Sequence, residues 1–220
     1  MSARLLAMTV TPRRRTQRER VEESSQRLLE SAVRLIADQG FDRTTTAQIS
    51  ADAGLSNSMV HMRYGSKESL LEALLRTYEN RMFESSSAPD DEGLAQLLGQ
   101  VNSVRDQLAQ QPQLLRAFFM IQFEIPATIP NLKSWLVDWL DRYVDHIADT
   151  IRRGQADGSV RRDLAPETEA KFFLSTGVGL GFQWILNPDN VDFDAELSHW
   201  HECTKQRFAA DPKPRRRRRS

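Results

Sequence analysis

Apolar side chains recur at three- and four-residue steps along most of the chain, which is the spacing of one face of an α-helix. Leu28, Ala32 and Ile36 share such a face within residues 21–38, and a longer stripe runs through residues 131–157. No run of alternating β-branched residues indicates a strand. The pattern therefore predicts an all-α protein.

Polar and glycine positions divide this pattern into helices. Gly40 follows the first helix, as a C-terminal cap would, and Thr45 and Gln48 have the spacing of a capping box that starts a second. A short third helix is predicted over 57–63, and a fourth begins after Ser66. After a polar loop at 85–93, helices are predicted at 94–109, 112–124, 131–157, 166–187 and 193–209.

The short third helix has an unusual distribution of side chains. Leu55, Val60 and Tyr64 can form only one narrow inward stripe, and the polar and basic residues between them face outward. A helix, a glycine-containing turn and a short helix form the helix-turn-helix motif. The second helix of that motif lies in the DNA major groove, so its outer face must be polar and slender.

Charge is distributed in blocks although the 220-residue chain has a formal net charge of zero. Residues 1–67 carry a net charge of +4, residues 68–204 carry −11, and residues 205–220 carry +7. A basic head favours a polyanionic partner. The single cysteine, Cys203, favours a reducing cytoplasm, and no apolar run is long enough for a membrane partner. We therefore expect a cytoplasmic, nucleoid-associated protein.

The segment 44–75 resembles the DNA-binding motif of the TetR family of bacterial regulators. His61, Arg63 and Tyr64 depart from the family's usual Tyr, His and Phe. His61 keeps a donor and suggests modest pH sensitivity. The positions that match are Thr44, Thr45, Ile49, Ala53, Gly54, Leu55, Ser56, Val60, Ser66, Lys67, Glu68 and Leu70.

This resemblance implies an N-terminal three-helix helix-turn-helix DNA-binding domain joined to a helical-bundle ligand-binding and dimerisation domain. The expected function is sequence-specific regulation of transcription, most often by a homodimeric repressor at a palindromic operator that a small hydrophobic or aromatic effector releases. No cofactor, metal or catalytic residue is expected. The expected divisions are a flexible basic arm (1–20), the DNA-binding domain (21–67), the effector and dimer domain (68–209) and a disordered Arg-rich tail (210–220).

DNA contacts are assigned from side-chain chemistry and position. Asn57 suits an adenine edge, Met59 a thymine methyl group, and Arg63 a guanine edge. Hydroxyl, imidazole and ammonium groups suit phosphates. The alternative for each residue is a solvated surface position. The expected set is Thr45, Ser56, Asn57, Ser58, Met59, His61, Met62, Arg63 and Lys67. The arm would enter the minor groove, and the tail either adds sequence-independent affinity or is simply solvated.

Aromatic side chains in the middle helices indicate an apolar effector cavity, although a plain core has the same spacing. The expected ligand-binding residues are Phe119, Gln122, Phe123, Trp135, Trp139 and Tyr143. The resemblance places the dimer interface on the last two helices, with the monomer's own core as the equal alternative. The expected interface residues are Phe173, Gly177, Leu180, Gly181, Trp184, Leu197 and Trp200.

The sequence does not support nucleotide binding, metal binding or catalysis. The glycines at 177–181 do not follow a strand, so they do not form a nucleotide-binding loop, and His199 with Cys203 lacks further metal ligands. No nucleophile and base share a recognisable motif, which argues against an enzyme. A helical protein-interaction adaptor, or a TetR-like activator, remains the alternative to a repressor.

Overall fold

The computed structural model describes residues 16–83 and 86–210, and these residues are almost entirely helical. Its helices confirm the all-α prediction. The only β-type pairing among the described residues is an isolated bridge between Val160 and Ala209. The helices are α1 (Gln17–Gln39), α2 (Thr46–Asp52), α3 (Met59–Tyr64), α4 (Lys67–Met82), α5 (Gly93–Gln110), α6 (Pro112–Thr128), α7 (Lys133–Asp157), α8 (Pro166–Leu186) and α9 (Phe193–Phe208).

Helix α1 begins four residues earlier than predicted. Thr16 and Glu19 form a reciprocal capping box, in which each side chain accepts from the other's backbone N–H. Residues 17–20 therefore belong to the helix and not to the arm. The rest of the arm, and the tail after residue 210, lie outside the described residues.

The predicted boundaries of α2 and α3 are largely confirmed. Thr45 and Gln48 form the expected capping box at the start of α2. Helix α3 starts two residues later than predicted because residues 56–58 form a turn, in which Met59 N–H donates to the Ser56 carbonyl at 2.9 Å. It ends at Gly65, whose φ of 82° is unfavourable for residues with a side chain.

The body is a bundle in which α7 packs against α5 and α8, and α5 also packs against α9. Helix α6 continues two residues beyond Pro126, further than the prediction, and a short 3-10 turn at Pro130–Leu132 leads into α7. Within the described residues, no helix is long and apolar enough to cross a membrane.

The head and body meet mainly where α1 packs on α6. Arg116 Nε donates to the Ala37 carbonyl at 2.8 Å, near the end of α1. About two turns further along α6, Glu124 Oε2 accepts from the Asp42 N–H at 3.0 Å. A Cβ at Gly40 would overlap the same carboxylate, so glycine permits this close approach. Helix α6 therefore contacts both the end of α1 and the turn that precedes α2.

Candidate nucleic-acid interface and interior chamber

Helix α1 acts as a support for α2. Ser31 Oγ donates to the Ile49 carbonyl at 2.9 Å in the core, and Arg27 donates to the carbonyl of Ala53 at the end of α2. Arg34 and Asp52 add an ion pair at 2.5 Å. These contacts come from one face of α1 and fix the position of α2, the first helix of the motif.

The same helix also holds α3. Val60 is fully buried between the helices, as predicted. Tyr64 Oη donates to the Ser25 carbonyl at 3.2 Å, and Arg63 Nε donates to Ser24 Oγ at the same distance. Arg63 is therefore half-buried and turned toward α1. In the DNA-free protein Arg63 supports α3 against α1, and its guanine contact stays a prediction.

Lys67 is also held by contacts within the head. Its ammonium donates to the carbonyls of Phe41 at 3.0 Å and Thr44 at 2.9 Å, and lies 3.5 Å from the carbonyl of Asp42. It also lies over the Phe41 ring, 4.1 Å from the centroid. Lys67 thus stabilises the turn between α1 and α2, and its phosphate contact stays a prediction.

The residues that remain outward form a compact polar surface. Ser56, Asn57 and Ser58 are exposed at the start of α3, and Met62 is 67% exposed on its outer side. Thr45 is exposed at the start of α2. Met59 is half-buried and packs against the core, so its predicted thymine contact is reduced to the edge of the side chain.

The tautomer of His61 follows from its neighbours. Its Nδ1 lies 3.0 Å from the Gly65 carbonyl, which can only accept, so Nδ1 carries the proton. The opposite nitrogen, Nε2, lies 3.4 Å from Thr46 Oγ1. Neutral His61 therefore presents Nε2 outward as an acceptor. The neighbouring hydroxyl of Thr46 was not among the residues predicted from the sequence. Arg43, which is exposed just before α2, was also absent from the predicted set. The only feature of the sequence that points to it is a positive charge two residues before Thr45, the N-cap of α2.

A second feature is an aromatic chamber inside the body. It brings together four of the predicted ligand residues, Phe119, Gln122, Trp139 and Tyr143. Phe123 instead lies on the surface against Phe182, and Trp135 lines a separate hollow beside α4. The other residues that line the chamber are Val104, Phe118, Leu174, Gly177, Val178, Leu197 and Trp200.

The expected dimer residues lie largely within the monomer. Phe173 and Trp200 are buried with their rings 4.6 Å apart, and Trp184 stacks on Phe193 at 4.7 Å. Leu197 is buried in the same core, and Leu180 packs against it half-buried. Gly177 and Gly181 receive the rings of Trp200 and Phe119 from the same chain. In the single chain these positions therefore belong to the monomer's own core, which was the alternative to a dimer interface.

The outer face of α8 carries exposed apolar side chains instead. Phe172, Phe182 and Leu186 are 64%, 43% and 70% exposed, at helical spacing along one side. Neighbouring exposed apolar residues are a common feature of interaction surfaces. We call this set of three residues the α8 stripe.

Comparison with known proteins agrees with the motif. A family model described as bacterial regulatory proteins of the TetR family matches residues 28–74, from α1 into α4. The chain is 25% identical over 197 residues to the HTH-type transcriptional regulator TtgR of Pseudomonas putida, covering 85% of this chain and 91% of TtgR. Residues 28–74 therefore form a DNA-binding domain of the TetR type. The chain is a DNA-binding regulator of transcription, as these relatives are, and not an enzyme.

Solved structures of the TetR family share its fold along most of the chain. NalD, described as the secondary repressor of the MexAB-OprM multidrug efflux pump in Pseudomonas aeruginosa, has a TM-score of 0.70 at 18% identity. That match covers 87% of this chain and all of NalD. The complex of SmeT with triclosan has a TM-score of 0.71 at 17% identity, covering 86% and 98% of the two chains. These matches establish the two-part architecture of the chain.

Proposed function

We propose that this regulator represses transcription as a homodimer bound to a palindromic operator, and that a small apolar effector releases it. The observation that carries the DNA contact is the outward polar surface of α2 and α3, held in place by α1 through five side-chain contacts. A short helix that is held firmly on its inner side, and whose outer side chains do not pack in the core, is suited to the major groove.

The proposed DNA contacts divide by chemistry. Asn57 reads a base edge, with Met62 against the groove floor, while hydroxyl and imidazole groups hold phosphates. His61 donates to a phosphate from Nε2 only when it is doubly protonated, because Nδ1 is already committed to Gly65. The proposed contact set is Arg43, Thr45, Thr46, Ser56, Asn57, Ser58, His61 and Met62.

Selection from random duplex DNA at near-physiological salt tests the function directly. We expect an enriched inverted repeat whose half-sites lie about 34–36 Å apart, one turn of the double helix. Recovery of single, unpaired half-sites would contradict the dimer, and loss of all binding with salt and no enrichment would contradict sequence recognition. A reporter placed behind the selected repeat then separates repression from activation.

Replacing Asn57 by alanine should weaken operator binding about 10-fold or more per half-site without changing the unfolding temperature. A bidentate contact to adenine contributes about 1–3 kcal/mol of discrimination, and Asn57 is exposed in the free protein. Fluorescence anisotropy with operator DNA and thermal unfolding measure the two effects.

Asn131→Ala is the matched control, because Asn131 is an exposed asparagine on the body. It should leave both measurements unchanged. Asn57→Ala protein that binds the operator with wild-type affinity and base preference would remove Asn57 from the contact set.

Release by an effector needs a connection between the chamber and the head, and α6 supplies it. Phe118, Phe119 and Gln122 face the chamber, while Arg116 of the same helix holds the end of α1 and Glu124 holds the turn before α2. A shift of α6 by a bound effector would move that turn. An effector of this kind acts only through its difference in affinity between the two states of the protein.

Replacing Glu124 by alanine should reduce the effect of an effector on operator affinity by about 3- to 10-fold, within the range measured for residues that modulate coupling. The physical reason is the loss of the carboxylate that accepts from Asp42 N–H. Triclosan, the ligand in the SmeT complex, is the first probe, and the ratio of operator dissociation constants with and without it is the measurement.

Asp138→Ala serves as the control, because it removes an exposed carboxylate from α7. It should keep the wild-type ratio. An unchanged ratio in Glu124→Ala protein would show that the signal reaches the head by another route.

A further inference from the structure

We propose that the effector is an uncharged aromatic molecule whose hydrogen-bond acceptor binds the buried indole N–H of Trp139. This inference rests on the proposed effector-binding function and specifies the chemistry of the same chamber. It follows from four properties of the chamber: its volume, the charge of its walls, one unpaired donor, and the aromatic rings around that donor.

The chamber is nearly closed in this structure. Its volume is about 30 Å³, which is the space of a single water molecule. A drug-sized ligand needs about 300 Å³ or more, so binding must move the walls. Phe119 and Trp200 are suited to this movement, because their rings lie on Gly181 and Gly177 of α8 and meet no side chain there.

The described residues that line the chamber carry no charge. Gln122 supplies a neutral amide, and burial raises the pKa of the Tyr143 phenol, which therefore keeps its proton. His146 lies next to Tyr143, and burial, with a contribution from Arg153, lowers the pKa of its imidazole. A cationic or anionic ligand would lose its hydration here without gaining a counter-charge. The walls therefore select an uncharged molecule.

The Trp139 indole supplies the specific contact. Trp139 is 1% exposed, and its Nε1 finds no hydrogen-bond acceptor among the described residues. Buried indole N–H groups normally have a partner, and an unpaired one is destabilising. A carbonyl, ether or similar acceptor on the ligand would satisfy this donor.

The neighbouring rings favour an aromatic skeleton for the ligand. Trp139 stacks on Tyr143 with centroids 5.5 Å apart, and Phe118 meets Trp139 edge-on at 5.4 Å. Another ring entering this cluster can adopt the same offset-stacked or edge-to-face arrangements. An aliphatic ligand would fill volume but would not replace these contacts.

Four two-ring probes of the same shape test the inference by equilibrium dialysis against the full chain. Benzophenone is uncharged and has a carbonyl acceptor, and diphenylmethane has none. Diphenylmethylamine is a cation and diphenylacetate an anion at neutral pH. We expect benzophenone to bind more tightly than either charged probe by at least about 10-fold, since neither charge finds a partner in the walls.

The Trp139→Phe variant isolates the hydrogen bond. It keeps an aromatic ring and removes the N–H, so benzophenone should lose about fivefold more affinity than diphenylmethane, the equivalent of one neutral hydrogen bond. Any general loosening of the chamber affects both probes and cancels in this ratio. Trp184→Phe is the matched control, because Trp184 stacks on Phe193 and does not line the chamber.

Equal losses for the two uncharged probes, or binding of a charged probe as tight as that of benzophenone, would overturn the proposal. Operator binding by the same preparations is measured in parallel. A chain that binds its operator but none of the four probes overturns this inference and leaves the DNA-binding function intact. A chain that binds benzophenone as expected but is not released from the operator supports the ligand chemistry and contradicts the proposed regulation.

Discussion

Replacing Phe182 and Leu186 together by glutamate is expected to convert the proposed homodimer to a monomer and to lower operator affinity by at least about 100-fold. Both side chains belong to the α8 stripe and are largely exposed in the single chain. In a two-fold dimer the same patch meets its own copy, so the double change places four carboxylates in one interface. Removing charges from water without partners costs several kcal/mol, and the interface should not form.

The loss of DNA affinity follows from the loss of the second head. A dimer binds its second half-site as an intramolecular event, which adds a factor of about 10²–10⁴ to the affinity of one head. A monomer has only the affinity of a single half-site. Analytical ultracentrifugation measures the assembly state, and anisotropy with the full palindrome measures binding.

The chain offers a control for added charge. Ala109→Glu places a carboxylate at an exposed position of α5, away from the α8 stripe, and should remain dimeric. Thermal unfolding of the double variant should show an intact fold, because neither replaced side chain is buried in the core. If the double variant sediments as a dimer, the interface must lie on a surface other than the α8 stripe.

Neutralising Arg13, Arg14 and Arg15 is expected to weaken operator binding about 10- to 100-fold at physiological salt, with a flatter salt dependence. The reason lies in the charge of the folded head. Over residues 16–67, seven basic side chains balance seven acidic ones. The head's net positive charge is therefore carried by residues 1–15.

Most cations of the folded head are also committed within it. Arg27, Arg34, Arg63 and Lys67 all donate to other residues of the head. Arg18 pairs with Glu22 one turn along the helix. Few of these charges are free to neutralise phosphates, so the electrostatic part of the affinity must come mainly from the arginines before Thr16.

The salt dependence gives the sharpest measurement. Each phosphate neutralised changes the slope of log K against log salt by about 0.9, so replacing the three arginines by glutamine should flatten it by about 3 per protomer. A variant with Arg215–Arg219 replaced by glutamine is the control for a general effect of basic residues. An unchanged slope in the first variant and a flatter slope in the second would assign the electrostatic role to the tail.

Local signals made the DNA-binding helices predictable from sequence. The capping box at Thr45 and Gln48 needs only two residues at a fixed spacing, and it forms as expected. Gly65 ends α3 because its positive φ is favourable only for glycine. Val60 is buried because it continues the inward apolar stripe. These features depend on interactions within a few residues, which a sequence shows directly.

The roles of long and apolar side chains were less predictable. Arg63 and Lys67 lie in the expected motif, but their reach allows contact with DNA or with the protein, and the nearby carbonyls and hydroxyl of the head determine the outcome. Helix α8 is apolar on most of its surface, so helical spacing does not separate Phe173, which is buried, from Phe172, which is exposed.

The sequence by itself determined the all-α fold, the position of the helix-turn-helix motif, and the resemblance of that motif to the TetR family. Tertiary structure decided which cationic side chains donate to other residues of the protein, which aromatic residues enclose the chamber, and which face of α8 remains exposed. The physical reason is distance along the chain. Caps and helical stripes involve neighbours in sequence, whereas these decisions depend on contacts such as those of Arg63 with Ser24 and Glu124 with Asp42, between residues about 40 and 80 positions apart.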